Sequence, residues 1–206
     1  MVLPIVIFGD PVLRLDCAPV TEVTDEISAL SSDMIETMRD ADGVGLAAPQ
    51  IGVALQLAVI DVGHAPELQT YFRVDGEEAA LSDWMPLVFI NPVITPSRAR
   101  EESTEGCLSF PGLRYQIKRP AEVSARLTLL DGRTITVETD GLLARALQHE
   151  TDHLHGRLFI DRLSTADKLT LKRRLREMFE DIEAEEREAR RAARAARSIT
   201  PPVTGG

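Results

Sequence analysis

The segment Gln148-His149-Glu150-Thr151-Asp152-His153-Leu154 constrains this chain more than any other stretch. Leu143, Ala146, Leu147 and Glu150 recur at three- and four-residue steps, and Gly156 is placed to stop the run, so the spacing predicts a helix over Leu142 to His155. On a helix the step from His149 to His153 is a little over one turn. Both imidazoles then share a face, and two nitrogens can converge on one ion. Glu150, about 100° further round the axis, can reach a water on that ion without becoming a ligand. An ordinary amphipathic helix can carry the same H-E-x-x-H by accident, so the weight falls on the rest of the site. A catalytic metal needs a third protein ligand and an open position for water.

Two of the remaining side chains are poor third ligands. His155 stands near the helix stop and off the shared face, and His64 lies in an irregular stretch where a histidine is ordinarily solvated. Cys107, in Glu105-Gly106-Cys107-Leu108-Ser109, is better: the neighbouring glycine leaves open backbone around it. A soft sulfur with two imidazoles suits iron(II), zinc, cobalt or nickel. The spacing is unspecific by itself. A third segment, Gly43-Val44-Gly45-Leu46-Ala47-Ala48-Pro49-Gln50, has small residues that permit close backbone approach, and Gln50 offers an uncharged hydrogen-bond donor. Alone, it reads equally well as a Gly-Ala loop without a task.

At 206 residues the chain has room for one substantial core. Its net charge of −10 excludes a surface built throughout to embrace nucleic acid and leaves room only for a local basic patch. The opening MVLPIVIFGDPVLRLD lacks the basic cluster of a signal peptide, and no apolar run is long enough to span a bilayer, so a cytoplasmic protein is expected. With only Cys17 and Cys107, no disulfide framework is expected, and Cys17 reads as a small buried hydrophobe.

Ile27, Leu30, Met34, Ile35 and Met38 predict an amphipathic helix over 27–40, with Thr24 as a plain cap. LQLAVIDV over 55–62 and the aliphatic run 87–94, interrupted by Asn91-Pro92, predict strands. Between them, 64–85 reads as an excursion from the core. Alternation over 122–130 and 134–139 around Asp131-Gly132 predicts a β-hairpin. A last helix is expected over 165–197, apolar on one face at first (Leu169, Leu175, Met178, Phe179, Ile182) and then almost wholly Ala, Glu and Arg, followed by a disordered tail at 198–206.

Taken together, GVGLAAPQ, EGCLS and QHETDHL resemble, in order and at every fixed position, the three signature motifs of the peptide deformylase family, G-x-G-L-A-A-x-Q, E-G-C-L-S and Q-H-E-x-D-H-L. The resemblance covers roughly residues 4 to 164. It implies an α+β fold, with antiparallel or mixed strands around the metal-bearing helix, a catalytic domain over 1–164 and a C-terminal helix beyond. The implied reaction is removal of the N-formyl group from formylmethionyl nascent polypeptides. By the same resemblance, Cys107, His149 and His153 bind one divalent ion, iron(II) in the cell with zinc, nickel or cobalt as alternatives. Glu150 is general base and acid, and Gln50 and the Leu108 backbone N–H stabilise the oxyanion. Substrate would lie along Val44, Gly45 and Gly106 by strand addition. Its methionine side chain would enter a pocket near Val44, Leu142, Arg145, Ala146 and His149, with Arg114 at the mouth.

Three features stand apart from the resemblance. Arg145 replaces an expected aliphatic residue, and its stem is expected to line the pocket while its head reaches the rim. Residues 63–86 are longer than the corresponding stretch of compact members. Asp152 is expected to pair with Arg119 and steady the metal helix. Beyond Glu183, i,i+4 pairs (Glu183/Arg187, Glu186/Arg190) read as a solvated helix, and the following arginines as a possible arm towards ribosomal RNA. No DNA or membrane partner is expected. Two rival readings are a metallopeptidase taking Glu177 as third ligand and a catalytically silent ribosome-associated protein.

Overall fold

The computed structural model describes residues 1–199, with side chains over 1–184 and at 187, 188, 190 and 191. Its contacts divide the chain into two units, Met1–Leu163 and Ser164–Gly206. The elements of the first are α1 (Asp25–Asp40), β1 (Gly45–Ala47), β2 (Leu57–Ile60), β3 (Phe72–Val74), β4 (Glu77–Glu78), β5 (Leu87–Pro96), β6 (Arg100–Gly106), β7 (Arg114–Pro120), β8 (Val123–Thr128), β9 (Thr134–Thr139) and α2 (Gly141–Leu154). The second holds α3 (Thr165–Ile199). Ser198 and Ile199, expected in a disordered tail, continue this helix, and the rest of that tail lies outside the described residues. Within α3, Arg187 comes within 3.8 Å of Glu183, the expected i,i+4 pair; Glu186 has no described side chain.

Seven strands form one antiparallel sheet in the order β1-β2-β5-β8-β9-β3-β4, and β6 pairs with β7 in a separate hairpin. The central strands are buried on both sides, which is why β2 reads as an unbroken apolar run and not as an alternation. Leu57 and Val59 meet Met34 and Met38 of α1. Ala58 and Ile60 belong to the core that receives Leu143, Ala144 and Leu147 of α2. Each large side chain so enclosed contributes roughly 1.5–3 kcal/mol. Together they clamp α2 and fix where its polar face points.

The helix boundaries follow local chemistry. Thr24 accepts the Ile27 N–H at 3.4 Å, with Asp25 and Glu26 favouring the positive end of α1. At the end of α2, Gly156 takes φ +62°, its N–H donates to His153 O and the Arg157 N–H donates to Asp152 O, a Schellman closure. A methyl at Gly156 would strike Arg14 O, so the stop also fits the N-terminal segment against the helix.

The stretch 64–85 corrects one expectation. Instead of leaving the core, Phe72–Val74 pairs with β9, and Asp75-Gly76 turns the chain into β4. Both turn residues have positive φ, 53° and 87°, as a two-residue Asp-Gly hairpin requires. Phe72 is buried edge-on to Trp84, with ring centroids 6.5 Å apart. At Asn91-Pro92 the β5–β8 register shifts. Asn91 is freed there to bond both the N–H and the carbonyl of Val20.

Candidate active site

α2, β1 with the turn after it, and the end of β6 converge on a cleft of about 550 Å³. From α2 come His149 and Glu150, with Leu142, Arg145 and Ala146 one and two turns earlier on the same lining. The glycine-rich segment contributes Val44, Gly45 and Gln50, and the β6 end contributes Gly106, Cys107 and Leu108, with Arg114 facing Gly106 across the hairpin. His153 stands behind this lining, 1% exposed, its Nε2 3.3 Å from Cys107 Sγ.

One ligand atom each from Cys107, His149 and His153 lies within 4.8 Å of the others. His149 Nδ1 is 3.1 Å from Glu105 Oε2, which leaves its Nε2 for the shared point. Burial works against charge on His149, but Cys107 and Glu105 override it and carry its pKa up to about 10. Burial, reinforced by His149, holds His153 well below the ordinary histidine value. A thiol beside one imidazole that attracts a proton and another that repels it is a donor set that a divalent cation satisfies better than protons do.

Beside it, burial pushes the Glu150 carboxyl up to about 7, and Glu150 Oε2 has no hydrogen-bond partner. The carboxylate lies against Gly45, where a Cβ would overlap Glu150 Oε1. Gln50 is locked: its Oε1 accepts the Ala47 N–H at 2.9 Å, so its Nε2 faces Ser109 Oγ at 3.3 Å and Cys107 Sγ at 3.5 Å.

A layer of ion pairs backs Cys107 and the two histidines. Arg119, 0% exposed, must find partners for its donors within the protein. Nε and Nη2 bond Glu105 at 2.6 and 2.8 Å, and Nη1 bonds Asp152 at 2.7 Å, the pairing anticipated from the sequence. Asp152 also receives Arg162 at 2.6 and 2.8 Å. Burial would raise Glu105, yet hydrogen bonds from His149 and Arg119 hold it far below the usual carboxylate range.

Arg145 departs from expectation here. Its head does not reach the rim: Nη1 donates to Glu105 Oε1 at 2.6 Å and to Ile117 O at 3.0 Å, because that buried carboxylate attracts it inward. The stem still lines the cleft. His155 pairs with Asp16, away from the ligands. Sequence reasoning gave Glu105 and Ser109 no part. Both stand inside the EGCLS segment, and an acid two residues before the candidate ligand Cys107 was the available signal.

A thiol and two imidazoles around one point, with a buried carboxylate at the floor of a cleft, are the geometry of a divalent-metal hydrolase. The polypeptide deformylase family model matches residues 2–169. A peptide deformylase of Methylacidiphilum infernorum is 43% identical over 178 residues, 86% of this chain and 93% of the relative. One from Acidothermus cellulolyticus is 44% identical over 174 residues, 84% and 86% of the two chains. The crystal structure of a Legionella pneumophila peptide deformylase superposes with a TM-score of 0.73 at 36% identity, over 89% of this chain and 98% of that one. That of Synechococcus elongatus in complex with actinonin gives 0.70 at 40% identity, over 82% and 84%. The chain belongs to the polypeptide deformylase family. It is a hydrolase that removes the N-formyl group from nascent polypeptides.

Proposed function

We propose that Cys107, His149 and His153 hold one divalent ion, iron(II) in the cell, and that Glu150, Gln50 and Leu108 carry out the hydrolysis of formylmethionyl peptides beside it. The convergence of the three ligand atoms within 4.8 Å, next to a buried carboxylate without a partner, carries this reading. When bound, the ion supplies Lewis acidity and makes water a nucleophile near neutral pH. Glu150 takes a proton from the attacking water and later delivers it to the amine nitrogen as the C–N bond of the formamide breaks, releasing formate. Gln50 Nε2, aimed by the Ala47 bond, and the Leu108 N–H donate to the developing oxyanion; one such donor is worth on the order of 3 kcal/mol.

β1 is the terminal strand of its sheet, so the edge at Val44–Gly45 is available for an extended substrate to add to, with Gly106 opposite. Its first side chain fills the hollow between Val44, Leu142, Arg145 and Ala146, with Arg114 at the mouth. A tight formyl site excludes larger acyl groups sterically. Among the described residues no helix is long and apolar enough to cross a membrane. The arginine-rich end of α3 is a candidate for ribosomal RNA contact; salt-sensitive co-sedimentation with ribosomes that survives deletion of 187–206 removes it.

The test is formate release from formyl-Met-Ala-Ser by anaerobically purified protein. Glu150→Ala is expected to keep metal and lose at least 10²-fold in rate, on the order of a general base's contribution, and Cys107→Ala to lose metal. A Cys107→Ala protein that retains the ion stoichiometrically sinks the ligand assignment.

A further inference from the structure

A second cavity, of about 710 Å³, opens on another face of α2, where Gln148, Thr151 and Asp152 replace the lining residues of the cleft. Its charge is one-sided. Arg100, Arg126, Arg157 and Arg162 line it against a single carboxylate, Asp152, which is already held by Arg119 and Arg162. The guanidinium groups of Arg100, Arg126 and Arg157 have no hydrogen bond or ion pair among the described residues, in a chain whose net charge is −10. Gathering unpaired cations around one concavity costs free energy unless an anion neutralises them. The rest of the wall mixes polar Gln56, Asn91, Gln148 and His155 with an apolar strip in which Val93 is 48% exposed, with Ile94 and Pro96 beside it.

We propose that this cavity binds a phosphate-bearing ligand, its phosphate held by Arg100, Arg126 and Arg157 and its less polar remainder resting on Val93 and Pro96. Phosphate fits better than a carboxylate because three guanidinium forks match an anion with three acceptor oxygens and nearly two charges. The volume suits a mononucleotide-sized ligand. The same phosphate chemistry is offered by a free ribonucleotide or by one nucleotide of an RNA strand.

Calorimetric titration of the metal-loaded protein at fixed ionic strength separates these sources, using AMP in one arm and a single-stranded oligoribonucleotide in the other. Saturable one-to-one binding of AMP is expected, weakened about tenfold by Arg126→Ser and by Arg157→Ser, on the order of one charge-assisted hydrogen bond each. Arg133→Ser removes the same charge from the β8–β9 turn and leaves binding unchanged. Formate release stays at the wild-type rate in all three variants and certifies the fold; should Arg126→Ser lose it, Arg157→Ser, in the segment after α2, decides. Binding of the oligoribonucleotide alone, with the same losses, assigns the phosphate to an RNA strand. Binding that never saturates, or that Arg133→Ser weakens as much as Arg157→Ser, overturns the proposal.

Discussion

Gly45 shows how one missing carbon serves the chemistry. A Cβ there would overlap the Glu150 carboxylate, the far end of a flexible side chain, while the backbone around it is ordinary strand. Gly45→Ala is therefore expected to displace the carboxylate and leave the fold intact: kcat falls by about 10²-fold, the scale of a 1 Å misplacement, with little change in melting temperature. Equal losses in both measurements would show that the glycine serves packing alone. The two cysteines divide just as clearly. Burial, with the Asp16 charge behind it, raises the Cys17 thiol from 9.0 to about 11. In the metal-free native protein at pH 8, a disulfide reagent is expected to titrate Cys107 quickly and Cys17 only after unfolding. Because the folded pKa is the higher one, the thiol's contribution to stability is complete below pH 9 and is lost as pH rises from 9 towards 11. A Cys17→Ala variant whose urea midpoint declines over that window as steeply as the wild type's would contradict this. At this scale spacing placed His149 and His153 on one helix face, the resemblance brought Cys107 beside them, and the structure holds these three together, as it does the Arg119–Asp152 pair. The sequence was silent on Glu105 and misleading on Arg145, because the partner that draws the guanidinium inward comes from the other end of a hairpin that had not been recognised.

That hairpin is the element the sequence hid. β6 reads Arg-Glu-Glu-Ser-Thr-Glu-Gly, with neither aliphatic residues nor alternation, and only Glu105 within it is buried. Its pairing with β7 supplies what its composition lacks, bringing Glu105 opposite Tyr115 and Arg119 opposite Glu101. β3 and β4 were hidden differently: the Asp-Gly signal that announced the β8–β9 turn also stood at 75–76, but the flanking runs are too short to alternate visibly. α1, α2 and the strands β2, β5, β8 and β9 were legible because each has apolar residues to bury in the core. The hairpin instead depends on buried charge, which makes Arg119 its most sensitive residue. Arg119→Ala removes the cation that bridges Glu105 and Asp152 in the interior, leaving Glu105 to Arg145 and His149 and Asp152 to Arg162, and is expected to cost about 3 kcal/mol, the low end for breaking a buried ion pair, read as a lowered urea midpoint. Arg119→Lys keeps the charge but cannot bond both Glu105 oxygens and Asp152 together, so it is expected to recover only part of that loss. Full recovery by lysine would mean that charge alone, without the fork, suffices.

Across the whole molecule, the three proposed ligands come from chain segments far apart in sequence, one beside the β6–β7 hairpin and two on the helix packed against the larger sheet. Cys107 follows β6, His149 and His153 ride on α2, and α2 is held by the core it shares with β2 and β5. An ion bound by all three is a cross-link between hairpin and helix, present in the folded state and absent from the unfolded one. Its removal must therefore lower stability by an amount set by occupancy, about 2.7 kcal/mol when the metal stands at a hundred times its dissociation constant. For a chain of this length that corresponds to a fall of roughly 5–10 °C in melting temperature on chelation. Cys107→Ser, which replaces the soft ligand by a poor one, is expected to melt at the same temperature with and without chelator, near the stripped wild type. Glu105→Gln should lie between, because losing the partner of His149 Nδ1 weakens metal affinity by about 10–100-fold without removing a ligand. Differential scanning calorimetry of the three proteins, each with and without chelator, distinguishes these cases. A chelation shift in Cys107→Ser as large as in the wild type would mean that the stabilising ion sits elsewhere, and that the thiol and the two imidazoles do not form one site.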